Sequence, residues 1–284
     1  MKSINKEHIE NQMKLEFTDV FRTSAMNTII SLPNESIFTH LEQDLLNPNT
    51  LLACIDNAVA TIDIKKRTAA AYSGLPNSAG YVEDRGTKAR YNEAISLAQI
   101  NKTTIIVADK RNYCLRRIER DSINSLTFAG RCTEYGDSGA QEETTTTTDL
   151  RLSSPQSLLY EGSTQRLYLA DMSSVYYINM ADLRVYKLID SEYTIYSLVK
   201  SAIDPHMFIG AIAGGIVSIH TANGSKVINI IAGQELPPLE NKALDGDFAK
   251  ASFNQPRAVI HLYSNLYMTA EYGSSKLRGL DIVR

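Results

Sequence analysis

Short apolar, β-branched and aromatic runs alternate along this chain with brief polar breaks, and no segment sustains the spacing of an amphipathic helix. Five segments share one plan: an apolar run, a small or acidic residue, a polar break, and a second β-rich run. They read LLACIDNAVATIDI, TIIVADKRNYCLRRI, RLYLADMSSVYYI, MFIGAIAGGIVSI and NLYMTAEYGSSKLRGLDI. The residues closing the first run are Asp56, Asp109, Asp171, Ile212 and Glu271, separated by 53, 62, 41 and 59 positions. Such a period matches a four-stranded propeller blade of about 40–50 residues plus variable loops.

A further short run precedes most of these pairs, at Ile37–Leu41, Ile95–Ala98, Leu158–Tyr160 and Ala258–Leu262. Another follows several of them and ends on Gly74, Gly130 or Gly233. The expected fold is therefore all-β, a β-propeller of about five four-stranded blades, with a six-bladed ring as the alternative. One domain covers residues 1–284, with blades at roughly 36–74, 94–130, 156–190, 194–233 and 256–284. The fifth repeat stops after its third strand, and Met13–Val20 is expected to supply the missing outer strand, because a ring protects its edges only when its last blade is completed.

The connectors carry a family resemblance. Asp245-Gly-Asp-Phe-Ala-Lys-Ala-Ser-Phe-Asn-Gln-Pro256 resembles the NHL connector, an Asp-Gly followed by Ala-x-Phe-Asn-x-Pro. Asp84-Arg-Gly-Thr-Lys-Ala-Arg-Tyr-Asn92 is a second copy with Tyr for Phe, and Ile106–Ile118 resembles the strand, turn and strand that follow. Asp109 and Asn112 are expected to bond the amides of that turn. The turns at Met172–Ser174, Ala213–Gly215 and Tyr272–Ser275 depart from the polar pattern. The resemblance implies an extracellular, metazoan-type NHL propeller.

Composition narrows the function. The 284 residues are 43% hydrophobic with a formal charge of −3, which gives no electrostatic drive toward nucleic acid or an anionic membrane. Apolar runs such as Met207–Ile219 fall short of the ~20 residues of a membrane span. The opening MKSINKEHIENQMK lacks the apolar core of a signal peptide. That leaves a cytoplasmic protein or a domain of a larger precursor.

Cys114 and Cys132 flank a hairpin whose tip lies near residue 123, and residues equidistant from such a tip stand close enough for a disulfide. A bridge places the chain outside the cell or in an ectodomain. Cys54, in an apolar strand, is expected to be an inert buried thiol. Asn34, Asn101 and Asn223 begin glycosylation triplets that occur at chance frequency.

His40 and His261 occupy similar places in the innermost runs of blades one and five, which become neighbours on ring closure. They are the candidates for a channel-mouth metal site like that of the amidating-lyase propellers. Ala98, Tyr160 and Lys200 hold the corresponding places elsewhere and offer no third ligand. His8, His206 and His220 stand outside the pattern, and Thr144–Thr148 reads as a loop tip. No phosphate loop or nucleophile motif occurs, so no catalytic residue and no cofactor is assigned.

Three long connectors, Leu75–Glu93, Arg131–Ser153 and Gln234–Asn254, are expected to gather on one face as a recognition surface. They hold twelve acidic and seven basic residues, which weighs against RNA. The expected partner is a protein or glycan, contacted through Tyr81, Arg85, Tyr91, Tyr135, Leu236 and Leu239. A metal-dependent propeller enzyme and an intracellular RNA or protein scaffold are the alternatives.

Overall fold

The computed structural model describes residues 37–136, 144–221, 226–237, 243–247 and 250–282. Met13–Val20 and Leu239 lie outside the described residues. The described strands form five antiparallel sheets, which are the blades of a propeller. Blade 1 comprises β1 (Phe38–Gln43), β2 (Thr50–Ile55), β3 (Ala58–Asp63) and β4 (Thr68–Gly74) in sequential order. Blade 2 begins with β5 (Asp84–Arg85) and continues with β6 (Ala94–Gln99), β7 (Thr104–Asp109), β8 (Cys114–Glu119) and β9 (Asn124–Ala129). Blade 3 holds β10 (Thr144–Thr146), β11 (Pro155–Glu161), β12 (Arg166–Asp171), β13 (Ser174–Asn179) and β14 (Arg184–Asp190). Blade 4 is β15 (Ser197–Lys200), β16 (Met207–Ile212), β17 (Gly215–His220) and β18 (Val227–Gly233); blade 5 is β19 (Pro256–Tyr263), β20 (Leu266–Glu271) and β21 (Lys276–Asp281).

The first strand of each blade lies innermost: β6 packs beside β1 and β11, and β15 beside β11 and β19. The middle strands are sandwiched between neighbouring blades, so both of their faces must be apolar. This is why β16 reads MFIGAI and is buried throughout instead of alternating. Between blades 1 and 2, Leu52, Cys54 and Val59 meet Leu97, Ile105, Val107 and Ile118. Between blades 2 and 3, Ile106 and Leu115 meet Leu167, Leu169 and Ile178.

Two connectors depart from expectation. Part of 75–93 runs down the outside of blade 2, where Asp84 and Arg85 pair with Ser125 and Asn124 as a fifth strand. Thr144–Thr146, expected as a loop tip, is likewise a fifth strand on blade 3, paired with Arg184–Tyr186. Two of the three long connectors thus lay a short strand on the outer edge of a blade, Asp84–Arg85 on blade 2 and Thr144–Thr146 on blade 3.

In blades 1, 2, 3 and 5 an acid at the end of the second strand holds the incoming connector in place. Asp56 accepts the Ile37 backbone N–H at 3.0 Å, Asp109 that of Asn92 at 2.7 Å, and Glu271 that of Asn254 at 3.0 Å. Asp171 accepts two, from Ser153 and Ser154, at 2.9 and 2.6 Å. Their repeated spacing thus reflects a joint between incoming connector and blade. For Asp109 this corrects the expected bond to its own turn's amides; its other oxygen accepts the Asn112 side-chain amide at 2.8 Å.

Candidate interaction face

The innermost strands meet along the channel wall. Pairing with the second strand places His40 opposite Cys54, Ser96 opposite Ala108, Ser157 opposite Ala170, Ser197 opposite Ala211 and Ala258 opposite Ala270. These five positions form one level of the ring. The Ser96 hydroxyl accepts the Leu158 backbone N–H at 3.0 Å, Ser157 that of Leu198 at 3.1 Å, and Ser197 that of Val259 at 3.1 Å. Each serine thus stitches its blade to the next. His40 takes the serine's place in blade 1, its Nδ1 lying 3.3 Å from the Ser96 hydroxyl.

His261 stands opposite Tyr267, three residues beyond Ala258 and about 10 Å along the strand. Its Nε2 lies 2.9 Å from the Ser264 carbonyl and its ring against Tyr267. His40 and His261 therefore do not share a level: the bulges before His40 and before Ala258 fall at equivalent places, and His261 lies three residues further along its strand. No group of three His, Cys, Asp or Glu side chains placed to hold a metal occurs among the described residues.

Crowding by protein lowers the His40 pKa to about 4. An unfolded histidine titrates near 6.5, so as pH falls the unfolded chain takes the proton first and stability drains between about pH 6.5 and pH 4. His40→Gln should flatten that arm of the stability curve. Urea midpoints at pH 7 and pH 4.5 check this, with a wild-type loss from this group of order 1–3 kcal/mol.

At the face where second strands turn into third strands, the cysteines are bridged, with Cα atoms 5.0 Å apart. They are not symmetric about the hairpin. Leu115 faces Ala129 across a bulge, and Gly130, at φ +84°, packs against Cys114; the chain then bends so that Cys132 reaches back. Cys54 is buried and its thiol pKa pushed up by desolvation, as an inert packing residue requires.

Beside this bridge sits the joint between connector and blade. Arg116 is fully buried, 3.3 Å from Asp109, and its guanidinium reaches the carbonyls of Val82, Arg90 and Ser125 at 3.2 to 3.4 Å. Arg278 repeats this in blade 5, pairing with Glu271 at 2.8 Å and Asp245 at 2.9 Å and donating to Ser252 and Leu244 carbonyls. Tyr91 and Phe253 lie beneath these guanidinium groups.

The candidate contacts sort as follows. Tyr135 and Leu236 are 66% and 71% exposed at this face. Tyr135 packs edge-on against Tyr113, and the Leu236 backbone lies close against Gly214. Tyr81 is partly exposed, its hydroxyl tied to Glu83 and Thr127. Tyr91 is a correction: it is fully buried, its hydroxyl 2.8 Å from both Ser73 and Ser125, and it is a core plug. Arg85 is another, lying on the outer edge of blade 2 toward the opposite face. Met172 and Tyr272, 42% and 68% exposed, were not singled out by the sequence reading. Their signal was there: an apolar residue in turns where the other repeats are polar.

The opposite face holds a polar cleft of about 390 Å³ lined by Asp44, Asp63, Tyr72, Arg120 and Asp121. Arg120 and Asp44 pair within it at 2.7 Å, so its one guanidinium is already engaged. Among the described residues no helix is long and apolar enough to cross a membrane.

No family model matches the chain, and no curated protein matches it in sequence. Solved structures do match in shape. A chain from the crystal structure of the nidogen/laminin complex aligns over 87% of this chain and 76% of its own, at 10% identity and a TM-score of 0.57. The extracellular domain of a putative one-component system from B. thetaiotaomicron aligns over 89% of this chain and 34% of its own, at 9% identity and a TM-score of 0.52. At such identities the likeness is one of fold, and it supports a β-propeller.

Proposed function

We propose that this chain is a non-catalytic recognition module of the NHL type, working outside the cell or in an ectodomain, that binds a protein partner through the face bearing the turns between second and third strands. The observation that carries the reading is the set Tyr135, Met172, Leu236 and Tyr272, exposed on connectors and turns of four successive blades. Exposed aromatic and apolar side chains on turns and connectors suit the role of interface anchors. The Cys114–Cys132 bridge favours an oxidising compartment. Among the solved structures that share the fold, one comes from a nidogen/laminin complex and another is an extracellular domain.

The test is a binding screen of the purified chain against arrays of extracellular protein domains and of glycans. A protein binder should lose roughly 30-fold or more in affinity on Tyr135→Ser or Tyr272→Ser, the size of a hot-spot truncation. Arg85→Ala, on the other face, should leave it unchanged. A binder sensitive to Arg85 and indifferent to Tyr135 and Tyr272 would place the surface on the wrong side, and a glycan as sole binder would refute the protein assignment.

A further inference from the structure

The seam between blades 1 and 2 is open at the place where the seam between blades 3 and 4 is filled with rings. In blade 3, register lines up Tyr168, Tyr177 and Tyr186 across the second, third and fourth strands, on the side turned to blade 4. The last two rings stack at 4.8 Å, Tyr168 packs on Phe208 of blade 4 at 4.7 Å, and Arg166 lies over Tyr177. The same row of blade 1, counted from the level of His40 and Ser157, is Leu52, Thr61 and Ala70, and Thr50 takes the place of Arg166. A hydroxyl and a methyl group thus stand where blade 3 has two stacked rings. The space left beside them is the cleft of about 390 Å³, a volume in the range of small-molecule sites.

Its walls are set for hydrogen bonding. Blade 1 brings the hydroxyls of Thr50, Thr61 and Thr68 and the carboxylate of Asp63, and blade 2 brings Asp121. The Thr50 and Thr68 hydroxyls and the Asp121 carboxylate make no hydrogen bond to a described residue. Arg120 is held by Asp44 at 2.7 Å and by Gln99 at 3.1 Å, so it is a fixed wall and offers no free charge to an acidic ligand. Hydroxyls that both donate and accept, set among carboxylates that accept, match a ring carrying several hydroxyls of its own. We propose that this cleft is a saccharide site, which holds one neutral or amino hexose ring, free or at the end of a chain, in the space that Tyr177 and Tyr186 fill in blade 3.

The site stands apart from the partner surface proposed above. Its rims are the turn between the first and second strands of blade 1, with Asp44, and the turn between the third and fourth strands of blade 2, with Asp121. Met172 and Tyr272 sit on turns between second and third strands, at the other end of the blades. A sugar in the cleft therefore neither requires nor excludes a protein on the far face.

Saturation-transfer NMR titration of the full chain with methyl glycosides of neutral, amino and uronic hexoses tests this. At least one neutral or amino glycoside should bind with a Kd of about 1 mM or below, ordinary for a ligand of about thirteen non-hydrogen atoms. The uronic glycosides should bind at least about 10-fold more weakly, because the cleft has acids and no free cation. Disaccharides carrying the bound hexose at the non-reducing end separate the two sources: tighter binding assigns the end of a chain, weaker binding a free sugar. Thr61→Tyr combined with Ala70→Tyr copies the blade 3 pair and should abolish binding while the melting temperature holds. Asp121→Asn, an exposed change, should weaken it about 10-fold and covers the case that the filled cleft misfolds. Tyr135→Ser and Tyr272→Ser should leave the Kd as it is, so failure of the protein-binding face would not touch this site. No glycoside bound at about 20 mM, binding indifferent to both cleft variants, or uronic sugars bound as well as neutral ones would overturn the proposal.

Discussion

Replacing Arg116 with alanine should cost about 3–5 kcal/mol, the largest single-residue effect expected outside the apolar core. The side chain is fully buried with Asp109 at 3.3 Å, bonds three backbone carbonyls, and lies over the rings of Tyr81 at 4.8 Å and Tyr91 at 5.3 Å. Its removal strands buried Asp109 without its cationic partner and takes one donor from each of the carbonyls of Val82, Arg90 and Ser125. Burial already pushes the Asp109 pKa up to about 6, against the opposing pull of Asn112, the Asn92 amide and Arg116. Without Arg116 the carboxyl must move further up and take a proton. The melting temperature should fall by roughly 10 °C. Adding Asp109→Asn should recover part of the loss, because it removes the buried charge that the first change left alone. Arg116→Lys should fall between, since one ammonium cannot fork to carbonyls on two strands. A loss under about 1 kcal/mol for Arg116→Ala would show that the joint between connector and blade is not held by this side chain.

The repeat was legible because each blade buries both faces of its middle strands, and burial writes apolar runs at a fixed period into the sequence. The outer strands β5 and β10 were not. Asp84-Arg85 and Thr144–Thr146 sit on the water side of their blades, where only backbone is paired, so side-chain patterning carries no record of them. The channel level of His40 was misread for a different reason. Ile37–Leu41 and Ala258–Leu262 both end in His-Leu, yet pairing with the second strand sets Ala258, not His261, at the level of His40, and the runs alone do not record that pairing.

Tyr91 shows how a repeat can be used more strictly. It is the counterpart of Phe253 in the two NHL-like connectors, and a residue kept aromatic at the same place in both copies is more economically read as packing than as contact with a partner. Both are buried under an arginine of the third strand, and in blades 1 and 4 a glycine, Gly74 or Gly233, leaves room for the ring. The turns at Met172 and Tyr272 carry the opposite lesson. They break the polar repeat without gaining burial, and that departure marks the exposed face better than loop length did.

Breaking the Cys114–Cys132 bridge should cost about 3 kcal/mol, whether by Cys132→Ser or by reduction. The two residues are 18 apart in sequence, and tying them together in the unfolded chain removes roughly that much loop-closure entropy. Calorimetry of the wild type in reductant and of Cys132→Ser should find the same drop in melting temperature, about 6–12 °C, and reductant should not lower the variant further. The bridge also pins the start of the connector that carries Tyr135, between Gly130 at φ +84° and Thr133 at φ +69°. Its loss should therefore raise amide exchange at 131–136 while leaving the β6–β9 sheet protected, and should weaken partner binding more than the stability change alone would. Two free thiols in the oxidised protein, or a melting temperature unmoved by reductant, would remove both the tether and the argument from it for an oxidising compartment.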